Sequence, residues 1–156
     1  MIDLTPAKIG LMSVPSVNLK DALIEFVNID LGKLDDEELR KVCSENGAEV
    51  SEKAERGHMV FALFDKVAVE HLLEPTWRID YPKEVSPLSK THRTNPELLE
   101  RFEGYIGGHE LCDGWSEIID AEVQRERFDK EQEAMRSGVN DEPHPLDEDF
   151  IESMEH

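Results

Sequence analysis

Two runs of the chain, residues 101–106 and 109–118, alternate aromatic or branched residues with polar ones, and Gly107 and Gly108 stand between them. Glycine accepts the positive φ angles that a two-residue hairpin turn demands, so this pattern predicts an antiparallel hairpin.

The predicted hairpin brings two glutamates onto one face. Tyr105 lies opposite Glu110 and Glu103 opposite Cys112, which makes Glu103 and Glu110 diagonal neighbours, about 7 Å apart at the backbone. Two ionised carboxylates at this separation repel each other unless a cation lies between them. Oxygen ligands favour Mg²⁺ or Ca²⁺ over zinc. We therefore predict a metal site at this pair.

The other face of the hairpin combines apolar side chains with acids. Strict alternation assigns to it five large apolar residues: Phe102, Ile106, Leu111, Trp115 and Ile119. Asp113 and Glu117 fall on the same face, on either side of Trp115, and acids flanking an indole suit an ammonium ligand. Glycine inside a strand commonly marks a bulge, so we expect one near Asp113 or Gly114. Such a bulge turns Asp113, Trp115 and Glu117 onto the face of Glu110.

Helical patterns dominate the first half of the chain. Asn18 can cap a helix with an apolar stripe formed by Leu19, Ala22, Leu23, Phe26 and Val27. Asp35 and Glu38 form a capping box at the start of a second helix, residues 36–46, which stops at Gly47.

The middle of the chain changes from polar to apolar and then to alternating residues. Residues 48–57 predict a solvated connection or a short helix, and residues 59–73, apolar almost all round, predict a buried helix. After Pro75, apolar residues alternate with Arg78 and Asp80, which predicts a strand that stops at Pro82.

The last quarter of the chain is mainly helical and polar. Asp120 should cap a helix over residues 121–136, with Gly138 after its end. Pro143 and Pro145 predict an extended linker, and a short helix then begins at Asp147.

These elements predict one α+β domain over residues 1–156, with an antiparallel sheet and flanking helices. Residues 17–73 form its mainly helical part and residues 75–156 a strand, hairpin and helix part. The short βαβ rhythm of a parallel sheet is missing from the pattern.

Composition narrows the class of partner. The formal net charge is -19, from 36 acidic residues against 17 Lys and Arg, and this is the wrong sign for a surface that binds nucleic-acid phosphates. Cys43 and Cys112 lie in no zinc or disulfide pattern, so a reduced cytoplasmic location is expected. Apolar runs are too short to span a bilayer, and we expect no membrane partner.

Four segments resemble the catalytic domain of class II lysyl-tRNA synthetases. They are the strand and Ser-Pro-Leu turn at 75–90, Arg-Phe-Glu at 101–103, Gln-Arg-Glu-Arg-Phe at 124–128 and Pro-Leu-Asp-Glu-Asp-Phe at 145–150. The resemblance covers residues 57–156 well and 17–56 loosely. It implies a partial class II catalytic domain, a fragment between the family's second and third motifs.

The resemblance implies a role for each hairpin residue. Glu103 and Glu110 correspond to the family's metal-binding glutamates, which hold Mg²⁺ with ATP. Trp115 replaces a Phe or Tyr beside the amino-acid substrate, and Glu117 matches the glutamate that recognises the lysine ammonium. Asp113 departs from the usual Asn, and its charge would repel a substrate carboxylate unless it is protonated or metal-bridged.

The implied reaction joins lysine and ATP into lysyl-adenylate and pyrophosphate and then transfers lysine to tRNA. The complete enzyme would be a homodimer, and any tRNA contact would come mostly from outside this acidic chain. The arginines of the second and third motifs are missing, so we expect no ligase activity from these residues alone. A basic patch, Lys83, Lys90, His92 and Arg93, corresponds to the ATP end of the site or is a solvated loop.

Two other functions fit the same residues. Paralogues of the family attach lysine-like groups to a protein acceptor, such as a translation factor. Alternatively, the chain is a non-catalytic acidic interaction module that kept the synthetase fold.

Overall fold

Side-chain caps set the start of the first two helices. The structure is a computed structural model that describes residues 14–136 and 146–155. In α1, Leu19–Val27, the side chain of Asn18 accepts a hydrogen bond from the amide of Asp21 at 2.9 Å. In α2, Asp36–Glu45, Asp35 and Glu38 form the predicted capping box. Both predicted helices are confirmed.

The third helix begins earlier and ends earlier than its apolar pattern predicts. α3 is Arg56–Val67, and a separate 3₁₀ turn follows at Val69–His71. The segment 48–57 is not simply solvated, because Ala48 and Ala54 are buried beside the helices. The polar sequence pattern of this segment did not predict that these two alanines would be buried.

The apolar core lies mainly among these three helices. Its fully buried members include Leu23, Leu39, Met59, Leu63, Phe64 and Leu72. Tyr105, from the sheet, joins the same cluster and connects the helical layer to the sheet.

The sheet has the order β1-β2-β3-β4. Its strands are β1, Ser16–Asn18; β2, Thr76–Pro82; β3, Leu98–Ile106; and β4, His109–Trp115. The pairs β2–β3 and β3–β4 are antiparallel, as predicted, but β1 runs parallel to β2. The sheet is therefore mixed rather than purely antiparallel, because the three residues before α1 pair along β2.

Strand β2 departs from regular alternation. The register against β3 shifts between Ile79 and Tyr81, where Asp80 has a φ of 62°. Consequently Arg78 and Tyr81, three residues apart, are both completely buried. The alternation in the sequence instead grouped Arg78 with the polar side of the strand.

The β3–β4 hairpin has the predicted turn and a displaced bulge. Gly107 and Gly108 have φ angles of 61° and 74°, as the two-residue turn requires. Tyr105 pairs with Glu110 as predicted, but Gly104 rather than Glu103 pairs with Cys112. Leu111 is thus the extra residue of a bulge, and the bulge predicted near Asp113 or Gly114 lies two or three residues earlier.

The last two helices pack against each other, and the first of them forms hydrogen bonds with the loop after β2. α4 is Ala121–Arg136 and α5 is Glu148–Met154, which begins after the Asp147 cap as predicted. The rings of Phe128 and Phe150 lie 6.3 Å apart between them. Gly138, Pro143 and Pro145 lie outside the described residues.

Within residues 14–136 and 146–155, no helix combines the length and apolar character needed to cross a bilayer.

Candidate functional site

The bulge at Leu111 gathers the hairpin side chains on one face of the sheet. Beyond it, Asp113 pairs directly with Glu103, and Trp115 pairs with Arg101. Residues directly opposite each other point to the same face, and so do residues two apart on one strand. Asp113 and Trp115 therefore share the face of Glu103 and Glu110, as the bulge was expected to achieve.

Glu103 lies on this face and is almost completely buried, and each of its carboxylate oxygens accepts a hydrogen bond. Its Oε1 accepts a hydrogen bond from Arg101 Nη2 at 2.9 Å, and its Oε2 accepts one from the Tyr105 hydroxyl at 2.6 Å. Arg78 Nη1 lies 3.5 Å from the same Oε2. Two guanidinium groups and a phenol thus surround one carboxylate.

Arg78 is the centre of this cluster. Its Nη1 donates to Asp65 Oδ1 at 2.6 Å and to the Tyr105 hydroxyl oxygen at 3.1 Å. Four aromatic rings surround its guanidinium carbon, with centroid distances between 4.4 and 5.8 Å: Phe61, Phe64, Tyr81 and Tyr105. Ring faces attract a cation, so this cage favours the buried charge.

The tyrosines of the cluster stay protonated. Burial raises the pKa of Tyr81 and of Tyr105, and the carboxylate of Glu103 raises both further. At neutral pH these phenols therefore act as hydrogen-bond donors or ring faces, not as bases.

Glu110 and Asp113 form the exposed side of the same face. Partial burial raises the pKa of Glu110, and the carboxylates of Glu103 and Asp113 raise it further. Asp113 has a partial counter-ion, since its Oδ2 lies 3.5 Å from Arg101 Nη2. The charge of Asp113 is therefore partly compensated within the chain.

Of the two predicted metal ligands, only Glu110 presents a carboxylate that suits a divalent cation. Glu110 presents an exposed carboxylate beside two other acids, but both oxygens of Glu103 already accept hydrogen bonds from cationic or phenolic donors. Among the described residues, no group of three or more His, Cys, Asp or Glu side chains could hold a metal ion. As arranged here, Glu103 does not fit the role of a metal ligand.

Trp115 and Glu117 lie at the end of the hairpin, beside a shallow cleft. Trp115 is 38% exposed and helps to line this cleft of about 460 Å³, together with Phe102, Arg93 and Ser116. Glu117 forms an isolated antiparallel bridge with Ser89. Of the five predicted site residues, only Trp115 lines the cleft.

Comparison with known proteins identifies the family. Residues 12–156 match the family model described as tRNA synthetases class II (D, K and N). The chain belongs to this family. The predicted α+β class II synthetase fold is therefore confirmed.

Relatives of the chain are named lysine–tRNA ligases. One from Porphyromonas gingivalis is 40% identical over 140 residues, which cover 90% of the chain and 24% of that protein. One from Thermoanaerobacter pseudethanolicus is 36% identical over 155 residues, 99% of the chain and 30% of that protein. One from Sulfolobus acidocaldarius is 38% identical over 139 residues, 88% of the chain and 28% of that protein. The chain thus spans roughly a quarter to three tenths of their length.

Two residues of the basic patch, Lys83 and Arg93, pair with acids. Lys83 Nζ lies 2.8 Å from Glu97, and Arg93 Nε lies 2.6 Å from Glu100. Arg127 of α4 also donates to the backbone carbonyl of Lys83, which ties the loop to the helix. These contacts favour a structural role for Lys83 and Arg93 over phosphate binding.

The sequence analysis missed the residue at the centre of the Glu103 cluster. The alternating pattern placed Arg78 on the polar side of β2, and no nearby residue indicated that the alternation would shift after it. The available signal was an arginine between Trp77 and Ile79, in a strand whose neighbour carries Glu103. Opposite charges on adjacent strands commonly pair across a sheet.

Proposed function

We propose that this chain supplies the amino-acid-binding face of a lysine-activating class II synthetase. The observation that carries the proposal is the bulge at Leu111, which aligns Asp113 and Trp115 with the face of Glu110. The names of the relatives, all lysine–tRNA ligases, support lysine as the amino acid.

The residues of this face suit a substrate that carries two ammonium groups. Trp115 offers the exposed face of an indole, which attracts a cation. We assign the side-chain ammonium of lysine to Glu117, and the α-ammonium to the acidic pair of Glu110 and Asp113. Arg101 lies 3.5 Å from Asp113 and keeps the local charge from repelling the substrate carboxylate.

In the proposed reaction the lysine carboxylate attacks the α-phosphate of ATP, and pyrophosphate leaves. The lysyl group then passes from the adenylate to an acceptor, which the names of the relatives suggest is tRNA. Mg²⁺ ordinarily accompanies ATP, but Glu103 does not fit a metal ligand here, so the proposal routes no step through an ion. What these residues contribute is binding and orientation of the amino acid.

A chimera tests the proposal with the whole catalytic machinery present. This chain replaces the matching segment of the Porphyromonas gingivalis ligase, and lysine-dependent exchange of pyrophosphate into ATP is measured. We expect exchange with lysine and not with aspartate. Glu117→Gln should reduce kcat/KM for lysine by about 100-fold or more, as expected when the charged partner of a bound, desolvated substrate group is removed. Glu126→Gln, on the exposed surface of α4, is the matched control.

The outcomes separate the alternatives. A folded chimera without exchange, beside an active parent, would favour the acidic interaction module, for which the net charge of -19 is the supporting observation. Exchange with lysine followed by transfer to a protein but not to tRNA would favour the paralogue with a protein acceptor.

A further inference from the structure

Arg78 occupies a position at which a charge needs several compensating contacts. It lies in the middle of β2, its side chain is completely buried, and four ring faces surround its guanidinium carbon. Within the described part of the chain, its Nε and Nη2 atoms have no hydrogen-bond partner. Its polar contacts in the described residues therefore run through Nη1, toward the carboxylates of Asp65 and Glu103 and the hydroxyl oxygen of Tyr105.

Three charged residues form one row across three strands. Arg78 of β2 pairs in register with Glu103 of β3, and Glu103 pairs with Asp113 of β4. Arg101 closes the row from the side, with its Nη2 at 2.9 Å from Glu103 and 3.5 Å from Asp113. Glu103 is thus held between two guanidinium groups.

These contacts oppose the binding of a divalent cation at Glu103. A guanidinium stays charged over the whole accessible pH range, so no change of pH removes the positive neighbours. Repulsion between Arg78 and an ion at this carboxylate would be strong, because a buried site screens charge weakly. An incoming ion would also have to displace the hydrogen bonds from Arg101 and Tyr105.

We propose that Arg78 is a built-in counter-ion of Glu103, and that Glu103 is not a metal ligand in this chain. Arg78 takes the electrostatic role that the resemblance gives to Mg²⁺ at this carboxylate. Any divalent ion that binds this face is held by exposed groups, Glu110 first among them.

Metal binding to the chain alone tests the inference, without lysine, ATP or catalysis. Mn²⁺ is titrated and free Mn²⁺ is followed by electron paramagnetic resonance. We expect Glu103→Gln to leave the apparent Kd within about twofold of the wild-type value, whereas Glu110→Gln weakens any binding observed. Arg78→Met should tighten binding by about tenfold or more, which corresponds to about 1.4 kcal/mol. This gain should disappear in the double variant Arg78→Met, Glu103→Gln.

The inference is overturned if Glu103→Gln weakens Mn²⁺ binding by about tenfold or more in the otherwise wild-type chain. Arg78→Met that folds but gains no affinity also overturns it. If Arg78→Met does not fold, the wild-type chain still decides the matter through carboxyl ¹³C signals of labelled glutamates during a Mg²⁺ titration. A shift at Glu110 with none at Glu103 supports the inference, and a saturable shift at Glu103 overturns it.

Because the measurement involves the ion alone, its result is separate from that of the chimera. A chimera that fails to activate lysine leaves the metal result intact, and metal binding at Glu103 leaves lysine activation intact.

Discussion

The Nη1 atom of Arg78 lies 2.6 Å from Oδ1 of Asp65, and the Nη1 atom of Arg56 lies at the same 2.6 Å from Oδ1 of Asp36. The two pairs differ in burial. In the first pair the side chain of Arg78 is completely buried and that of Asp65 is 44% exposed, whereas in the second pair Arg56 is 39% exposed and Asp36 68% exposed. Equal distances should therefore correspond to unequal stabilisation.

We expect Asp65→Asn to lower the free energy of unfolding by about 1 to 3 kcal/mol, since a buried charge loses a charged hydrogen-bond partner. Asp36→Asn should cost less than about 1 kcal/mol, because water screens the exposed pair. Urea unfolding at neutral pH measures both. Equal losses in the two variants would show that burial of Arg78 does not strengthen its pair.

Glu110 should make the folded state less stable as pH rises. Partial burial, together with Glu103 and Asp113, raises its pKa above the usual 4.5, so the folded state binds this proton more tightly than the unfolded state does. The stability linked to this proton is present below pH 4.5 and is lost as pH rises through the folded pKa.

Glu110→Gln should therefore stabilise the chain at neutral pH by less than about 1 kcal/mol, the range expected for an exposed group. The gain should vanish below pH 4.5 and shrink in high salt. Unfolding in urea at several pH values checks this, and a variant that is less stable than wild type at neutral pH would contradict it.

Glu100 should behave in the opposite way. Its hydrogen bonds from Arg93 and Ser116 lower its pKa to about 2 from the usual 4.5. Its contribution to stability is then complete above pH 4.5 and is lost as pH falls toward 2.

Glu100→Gln should destabilise the chain at neutral pH and match wild type near pH 2. Arg93→Met should follow the same pH profile, and the double variant should lose little more than either single one, because both remove one interaction. A loss of stability that stays constant from neutral to acid pH would show that packing, rather than the charge of Glu100, causes it. Thermal unfolding in a series of buffers suffices.

Features that depend on local chemistry could be predicted from the sequence. The caps at Asn18 and Asp35 and the turn at Gly107 and Gly108 involve residues within a few positions of each other, so one short segment contains both the signal and its partner. The hairpin site followed from that turn, which fixed the pairing of Tyr105 with Glu110.

Features that depend on partners far along the chain could not be predicted in this way. The shift after Ile79 changes which residues share a face, and periodicity carries no signal for an interrupted period. Gly114 predicted a bulge in β4, but not its position at Leu111. The ion pair of Arg78 with Asp65 joins β2 to α3, and polarity alone places both side chains in water. Strand β1 is three residues long and pairs with residues about sixty positions later in the chain.

Gly104 shows how closely the hairpin packs against β2. A Cβ atom placed there would lie 2.7 Å from Cζ3 of Trp77 and 2.9 Å from Sγ of Cys112. Both distances are below van der Waals contact, so a methyl group at this position must displace the indole or the sulfur. Gly104 pairs with Cys112 next to the Leu111 bulge, and crowding there would disturb the register that aligns the site.

We expect Gly104→Ala to lower the free energy of unfolding by about 1 to 3 kcal/mol, the usual cost of overpacking. If the indole is the main obstacle, Trp77→Leu should absorb much of this loss, so that the double variant is more stable than the sum of the single effects predicts. Urea unfolding of the wild type, the two single variants and the double variant measures the coupling between the two substitutions. Strict additivity would mean that the strain at residue 104 arises from the Cys112 side, and Gly104→Ala combined with Cys112→Ala would then show the rescue instead.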